Sequence, residues 1–185
     1  PENPSVYGRT KREADEVLRG SSDWIDWTIL RPSIIYGPHR RGVFFKMVRA
    51  YSRLPVIPVF GSGNEEMRPI HVEDVAWAIL ACLGNPGTVH QAYDLGGADS
   101  LRFNDFVTAV LEALGQRKIR VHVPIWLLLA GSTVLSWIFR DPPVTPDNVR
   151  GIETVRPVDI SAAQRDFGFA PRSFARGLQE VVALL

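Results

Sequence analysis

A chain of 185 residues with 45% hydrophobic and 22% charged side chains is long enough to bury a real core and too apolar to stay disordered. A formal charge of +1, with the arginines scattered along the sequence, argues against a dedicated nucleic-acid binder. The lone Cys82 excludes an internal disulfide and a four-cysteine zinc site, and it fits a reducing, cytoplasmic setting.

The opening residues do not read as a secretory signal. Asn3 and Pro4 instead start a helix whose pattern runs through Ala14, Val17 and Leu18 to a stop at Gly20. Tyr7 and Lys11 lie one turn apart on that helix, hence on one face. A free phenol titrates at about 10. A neighbouring ammonium favours the phenolate, so the pair suits proton transfer at a hydroxyl or ketone; its plain alternative is a solvated helix face.

"DWTILRPSIIYG" reads as a β-branched, aromatic strand with Pro32 near its end, broken by Gly37-Pro38. "VFFKMVRAYSRL" has a helical period, and "LPVIPVFGSGNEEMRPIHV" is a run of short extended pieces. Within it Gly61 to Asn64 form a turn and not a phosphate cradle. Asp74 is the expected N-cap of the next helix, which ends at Gly84-Asn85-Pro86. His71, just before it, is expected to pack at a strand end, although the two could also be weighed as an acid/base pair.

"QAYDLGG" reads as a strand, "FNDFVTAVLEALG" as an amphipathic helix and Val121 to Val123 as a brief extended piece. From Ile125 to Phe139 eleven of fifteen residues are apolar. That stretch is shorter than the ~20 residues a bilayer span needs, so a buried or interface-facing helix is preferred over a lipid-facing one. A short helix is expected after Thr145-Pro146, and the tail gives a short helix, a turn and a last helix. Helices and strands alternate with no internal repeat, so the class is α/β.

Tyr7-x-x-x-Lys11, "WTILRPSIIYGP", "RPIHVEDVAWAI", "YDLGG" before a helix and "RPVDISAAQRDFGFAP" occur in that order along nearly the whole chain. Together they resemble the C-terminal half of extended or atypical short-chain dehydrogenases/reductases, the NAD-dependent epimerase/dehydratase family. The section "VPIWLLLAGSTVLSWIF" to "PPVTPDNV" is most similar to proteins related to the NAD(P)-binding accessory subunit of respiratory complex I.

That resemblance implies a partial Rossmann-like doubly wound sheet plus a small α/β substrate domain, without the N-terminal nucleotide-binding half. Residues 1–40 would end the Rossmann-like domain, and 41–185 would be mostly substrate-binding, with 70–95 returning to the Rossmann-like core. Tyr7 would be the general acid/base, and Lys11 would hold the nicotinamide ribose. Pro32, Ser33 and Ile34 would meet the nicotinamide of NAD or NADP at a strand's C-terminal end. Arg68, His71 and Arg156 are the implied substrate contacts, Arg156 standing where sugar-nucleotide members place a diphosphate-binding arginine. Met67 and Arg68 depart from the arginine–acid pair usual in those members, and with the apolar stretch they turn the expectation toward a hydrophobic substrate.

No Gly-x-x-Gly-x-x-Gly follows any strand in these residues. The chain alone is therefore expected to bind a dinucleotide weakly, and to associate with a second copy or with a preceding segment. Two other functions stay open: a nucleotide-binding assembly subunit without catalysis, and a stand-alone binding module.

Overall fold

The structure, a computed structural model, describes residues 6–38, 42–124, 126–127 and 158–185, with backbone only for residues 6 and 7. Helix α1, Val6–Arg19, is polar along most of its length and closes where the Gly20 N–H donates to Glu16 O at 3.0 Å. Strand β1, Thr28–Pro32, pairs in parallel with β6, Gln91–Leu95, at all five positions from Thr28↔Gln91 to Pro32↔Leu95. Parallel neighbours require a crossover between them, and the chain from 33 to 90 supplies it.

The expected single strand of "DWTILRPSIIYG" is in fact two. After Pro32, which has no N–H to give a ladder, the Ser33 N–H still donates to Leu95 O at 2.8 Å. Two residues later β2, Ile35–Tyr36, pairs in parallel with β5, Ile70–His71. The Ile70 N–H to Ile34 O bond of 3.0 Å seals the change of partner. The chain thus leaves one strand neighbour and joins another within Ser33 and Ile34.

Between them lie α2, Val43–Arg53, β3, Val56–Phe60, and β4, Glu66–Met67. Helix α3, Val72–Cys82, follows β5 without a break, and a 3-10 turn at Pro86–Thr88 leads into β6. Strand β7, Leu101–Arg102, pairs antiparallel with β4 and runs into α4, Phe103–Ala113. Strand β8, Ile119–Val123, pairs in parallel with β3, and α5, Ser161–Phe167, and α6, Phe174–Val182, end the chain. Apart from the divided first strand, the unexpected β7 and the earlier start of β8, these match the helices and strands expected for the described residues. The apolar helix expected from Ile125 falls among the described residues only at Trp126 and Leu127, and the short helix expected after Pro146 lies outside them.

Two apolar cores hold these pieces. The larger takes Ile57 and Val59 from β3, Phe44 and Val48 from α2, and Phe106 and Val110 from α4. Phe174, Leu178 and Val181 of α6 complete it at helical spacing. Each of these last two is fully covered, which contributes about 1.5–3 kcal/mol per side chain before entropy is charged. The smaller core joins Ile70 of β5, Tyr93 and Leu95 of β6, Ala78 of α3, Ala163 of α5 and Phe169. His71 and Tyr36, neighbours in the β2–β5 ladder, stand at the seam between the two.

Candidate functional site

The α1 helix runs antiparallel past β1. The Arg19 guanidinium sits 5.5 Å over the Trp27 ring, and four residues earlier on the helix Asp15 accepts from Arg31, four residues later on the strand, Nε to Oδ2 at 3.0 Å. A second contact from Arg31 Nη2 reaches the same Asp15 oxygen. Tyr7, Lys11 and Asp15 follow one another at four-residue spacing, about 6 Å of rise each, so they form one stripe on α1. With Asp15 at Arg31, the N-terminal part of that stripe lies toward the C-terminal end of β1. Lys11 is exposed, and the side chain of Tyr7 falls outside the described residues.

Pro32, Ser33 and Ile34 occupy the point where the chain changes strand partners. Ser33 is held on two sides: its N–H donates to Leu95 O, and its hydroxyl donates to Arg68 O. Ile34 stands 45% exposed on the open side of this junction. A strand end whose backbone parts between two neighbours opens a crevice, the general location of ligands in such sheets.

Arg68 fastens the same junction from below. Its guanidinium donates to Gly97 O at 2.7 Å, Val158 O at 2.8 Å and Ala98 O at 3.2 Å. These carbonyls follow β6 and precede α5, so one side chain ties three segments together. The side chain reaches main chain on every arm and leaves little of its fork for an anion.

His71 packs at a strand end as expected, and it also takes the N-cap role expected of Asp74. Helix α3 begins at Val72, so Asp74 is inside its first turn, and the N-cap is His71, whose Nδ1 accepts from the Glu73 N–H at 3.3 Å. The reason is tertiary: Asp74 is drawn away by Arg172, which donates to it through its main-chain N–H at 3.1 Å and its Nε at 3.0 Å. Arg172 also reaches Glu73 at 2.8 Å and Glu180 at 3.3 Å, so three carboxylates surround one guanidinium.

His71 is wholly buried in this cluster, its Nε2 only 3.4 Å from Glu180 Oε2 and yet without a hydrogen bond. Burial, and then the Arg172 charge, push its pKa below the ordinary value. The hydrogen bond and then the charge of Arg172 hold the Glu73 carboxyl below its usual range. Tyr36 meets the His71 ring edge-on at 5.3 Å, and burial followed by the Asp74 charge pushes its phenol well above the usual range.

A cavity of about 460 Å³ opens beside the cluster, lined by Glu73, Asp74, Trp77, Phe169, Ala170 and Arg172. Arg156 lies outside the described residues. The two sets of expected residues are thus placed differently: Pro32, Ser33 and Ile34 stand at the C-terminal end of β1 and Lys11 one turn before Asp15 on α1, while His71 and Arg68 secure the strand ends. Glu73, Arg172 and Glu180 do not stand out in the sequence, because Arg172 meets the α3 carboxylates across 98 residues or more and leaves no local spacing to read.

Residues 1–96 match the family described as the NAD dependent epimerase/dehydratase family. The chain is 25% identical over 183 residues to a 3beta-hydroxysteroid-dehydrogenase/decarboxylase isoform 2 of Arabidopsis thaliana, covering 89% of this chain and 32% of that protein. It is 23% identical over 151 residues to the NADH dehydrogenase [ubiquinone] 1 alpha subcomplex subunit 9, mitochondrial, of Dictyostelium discoideum, covering 80% and 41%. Among solved structures, a UDP-glucuronic acid 4-epimerase from Bacillus cereus in complex with NAD superimposes with a TM-score of 0.73 at 18% identity, covering all of this chain and 53% of that one. At that identity the likeness shows the fold. The chain spans about a third to about half the length of these proteins.

Proposed function

The chain belongs to the NAD dependent epimerase/dehydratase family, and from that premise we propose that it is the catalytic-motif and substrate portion of an NAD(P)-dependent oxidoreductase or epimerase. The observation that carries the proposal is the Tyr7–Lys11–Asp15 stripe, pinned by Asp15 to Arg31 next to the Pro32–Ile34 junction. In this reading the Tyr7 phenol and the Lys11 ammonium would act at the C-terminal end of β1, which the direction of α1 past that strand supports.

The residues present fit the nicotinamide end of a dinucleotide. Lys11 and the Ser33–Ile34 backbone would hold the ribose and carboxamide, and a bound nicotinamide supplies or takes the hydride. No glycine-rich turn joins a strand to a helix among the described residues, so the diphosphate and adenosine ends would be held by other polypeptide. Tyr7 would give or take the proton at the carbinol oxygen, with Lys11 favouring its phenolate. Residues 1–40 and 70–95 would form the Rossmann-like part of the work, and most of 41–185 would contact substrate.

For the substrate we propose a hydrophobic carbinol or ketone over a sugar nucleotide. Arg68 is given over to three carbonyls, which supports this choice, and so does the likeness to a hydroxysteroid dehydrogenase/decarboxylase. The test is oxidation and reduction of a panel of hydrophobic alcohols, ketones and sugar nucleotides by the native polypeptide with NAD and NADP. Tyr7→Phe should lower kcat at least about 100-fold while dinucleotide affinity persists. Undiminished turnover in that variant would remove Tyr7 from the chemistry.

A second reading, a nucleotide-binding assembly subunit, is favoured by the likeness to a subunit of NADH dehydrogenase. Dinucleotide bound with no turnover across the whole panel would decide for it.

A further inference from the structure

We infer that Arg68 is a positioning residue for the nicotinamide end of the dinucleotide: it fixes the main chain at Ser33 and Ile34 and touches no ligand itself. The inference rests on the proposed function, which places the nicotinamide against that main chain. The geometry is a closed circuit of hydrogen bonds. The Ser33 N–H donates to Leu95 O at 2.8 Å. Two residues after Leu95, the Gly97 N–H donates to Arg68 O at 3.3 Å, and Arg68 Nε returns a bond of 2.7 Å to Gly97 O. The circuit closes on Ser33, whose hydroxyl donates to the same Arg68 O. Ser33 is thereby held through its N–H and its side chain, and both routes lead to Arg68.

The rest of the guanidinium anchors the circuit to its surroundings. Nη1 donates to Val158 O at 2.8 Å and Nη2 to Ala98 O at 3.2 Å. Carbonyls that leave a strand end need donors, and a planar fork supplies them in one fixed plane. An ammonium on a flexible stem does not. With every nitrogen on a main-chain carbonyl, the fork works on the protein's own backbone.

The two glycines of "YDLGG" make room for this arrangement. A Cβ at Gly96 would stand 2.7 Å from Arg68 Cδ and 2.9 Å from its Cγ, and one at Gly97 would stand 2.2 Å from Pro69 O. The turn after β6 is shaped to take the Arg68 stem against it. A ligand group bound to the Ser33–Ile34 backbone gains only if that backbone is already in place, because ordering it on binding costs affinity.

The experiment is titration calorimetry of the native polypeptide with NAD and with ADP-ribose, which lacks only the nicotinamide; NADP and its 2′-phosphorylated counterpart are run in parallel. In Arg68→Met, which keeps the stem and removes the donors, Kd for NAD should rise about fivefold or more while Kd for ADP-ribose stays within about twofold. Ser33→Ala cuts the hydroxyl link and leaves the fork in place, so it should show the same selective loss; it decides the matter alone where Arg68→Met does not fold. Arg68→Lys should lose less than Arg68→Met. The two changes break one circuit, so the double variant should lose less than the product of the single losses. Equal weakening of NAD and ADP-ribose, as a direct diphosphate contact or general damage to the fold would give, would overturn the inference. So would unchanged NAD affinity in both variants of a parent that prefers NAD to ADP-ribose. A parent with no such preference would overturn the placement of the nicotinamide at Ser33 and Ile34, and the inference with it.

Discussion

Arg172 grips Asp74 twice across 98 residues of sequence, with its main-chain N–H 3.1 Å from Oδ2 and its Nε 3.0 Å from Oδ1. The contact joins the first turn of α3 to the segment that leads into α6, and both side chains are largely covered, at 12% and 18% exposed. Removing one partner of a covered ion pair leaves the other charge desolvated without compensation. Arg172→Ala should therefore cost about 2–4 kcal/mol, and Arg172→Lys, which keeps the charge but loses the fork, about half as much. Urea unfolding midpoints of the two variants measure this. An Arg172→Ala protein as stable as the parent would show that the pair contributes nothing net.

Gly97 is required by close approach. A Cβ there would stand 2.2 Å from the carbonyl oxygen of Pro69, a main-chain atom that cannot swing aside. Gly97→Ala should destabilise by about 3 kcal/mol through overpacking. Gly20→Ala is the contrast, since its Cβ would meet nothing nearer than 3.5 Å, and a change within about 0.5 kcal/mol is expected. Thermal melts of the two proteins side by side test the difference, and equal melting temperatures would refute it.

Most elements were legible because local chemistry marks them: the Gly20 stop, the β-branched run of β1 and the helical stripe of α4. The single strand through Ser33–Ile34 was misread because a change of partner is decided by Leu95 and Ile70, which lie far off in sequence. Asp74 was assigned as a cap for a related reason. An aspartate before an apolar helical run has the right local signature, but Arg172 wins it and a histidine caps instead. Of the candidate site, the Tyr7–Lys11 spacing could be read directly. How α1 sits against β1 could not, since that depends on Asp15 reaching Arg31.

Gly177 and Tyr36 interlock where α6 crosses β2. A Cβ at Gly177 would come within 2.4 Å of the Tyr36 hydroxyl and 2.9 Å of its ring edge. Gly177→Ala should cost about 1–3 kcal/mol by pushing the ring off Phe44 and Phe174. The nearest clashing atom is the hydroxyl, so adding Tyr36→Phe should recover part of the loss. A double-mutant cycle reads that coupling, and strict additivity of the two changes would deny the contact.

His71 gives the acid side of the stability profile a defined origin. Its ring is buried among Glu73, Asp74, Glu180, Arg172 and Tyr36, and its pKa is lowered from the ordinary 6.5 by burial and then by Arg172. A histidine with a lowered folded pKa binds its proton more readily when unfolded, so stability rises with pH through this window. The full contribution is present above about pH 6.5. It is lost as the pH falls below that value, with a slope of at most about 1.4 kcal/mol per pH unit. Glu73 adds to the loss further down, because its folded pKa is lowered from 4.5 and its stabilisation disappears as the pH falls through that lowered value. Denaturation free energies at pH 7.5, 6.5 and 5.5 should therefore fall in that order. In His71→Gln, which keeps a side-chain acceptor for the Glu73 N–H, the slope between 6.5 and 5.5 should flatten. An undiminished slope in that variant would move the acid sensitivity to the carboxylates around Arg172.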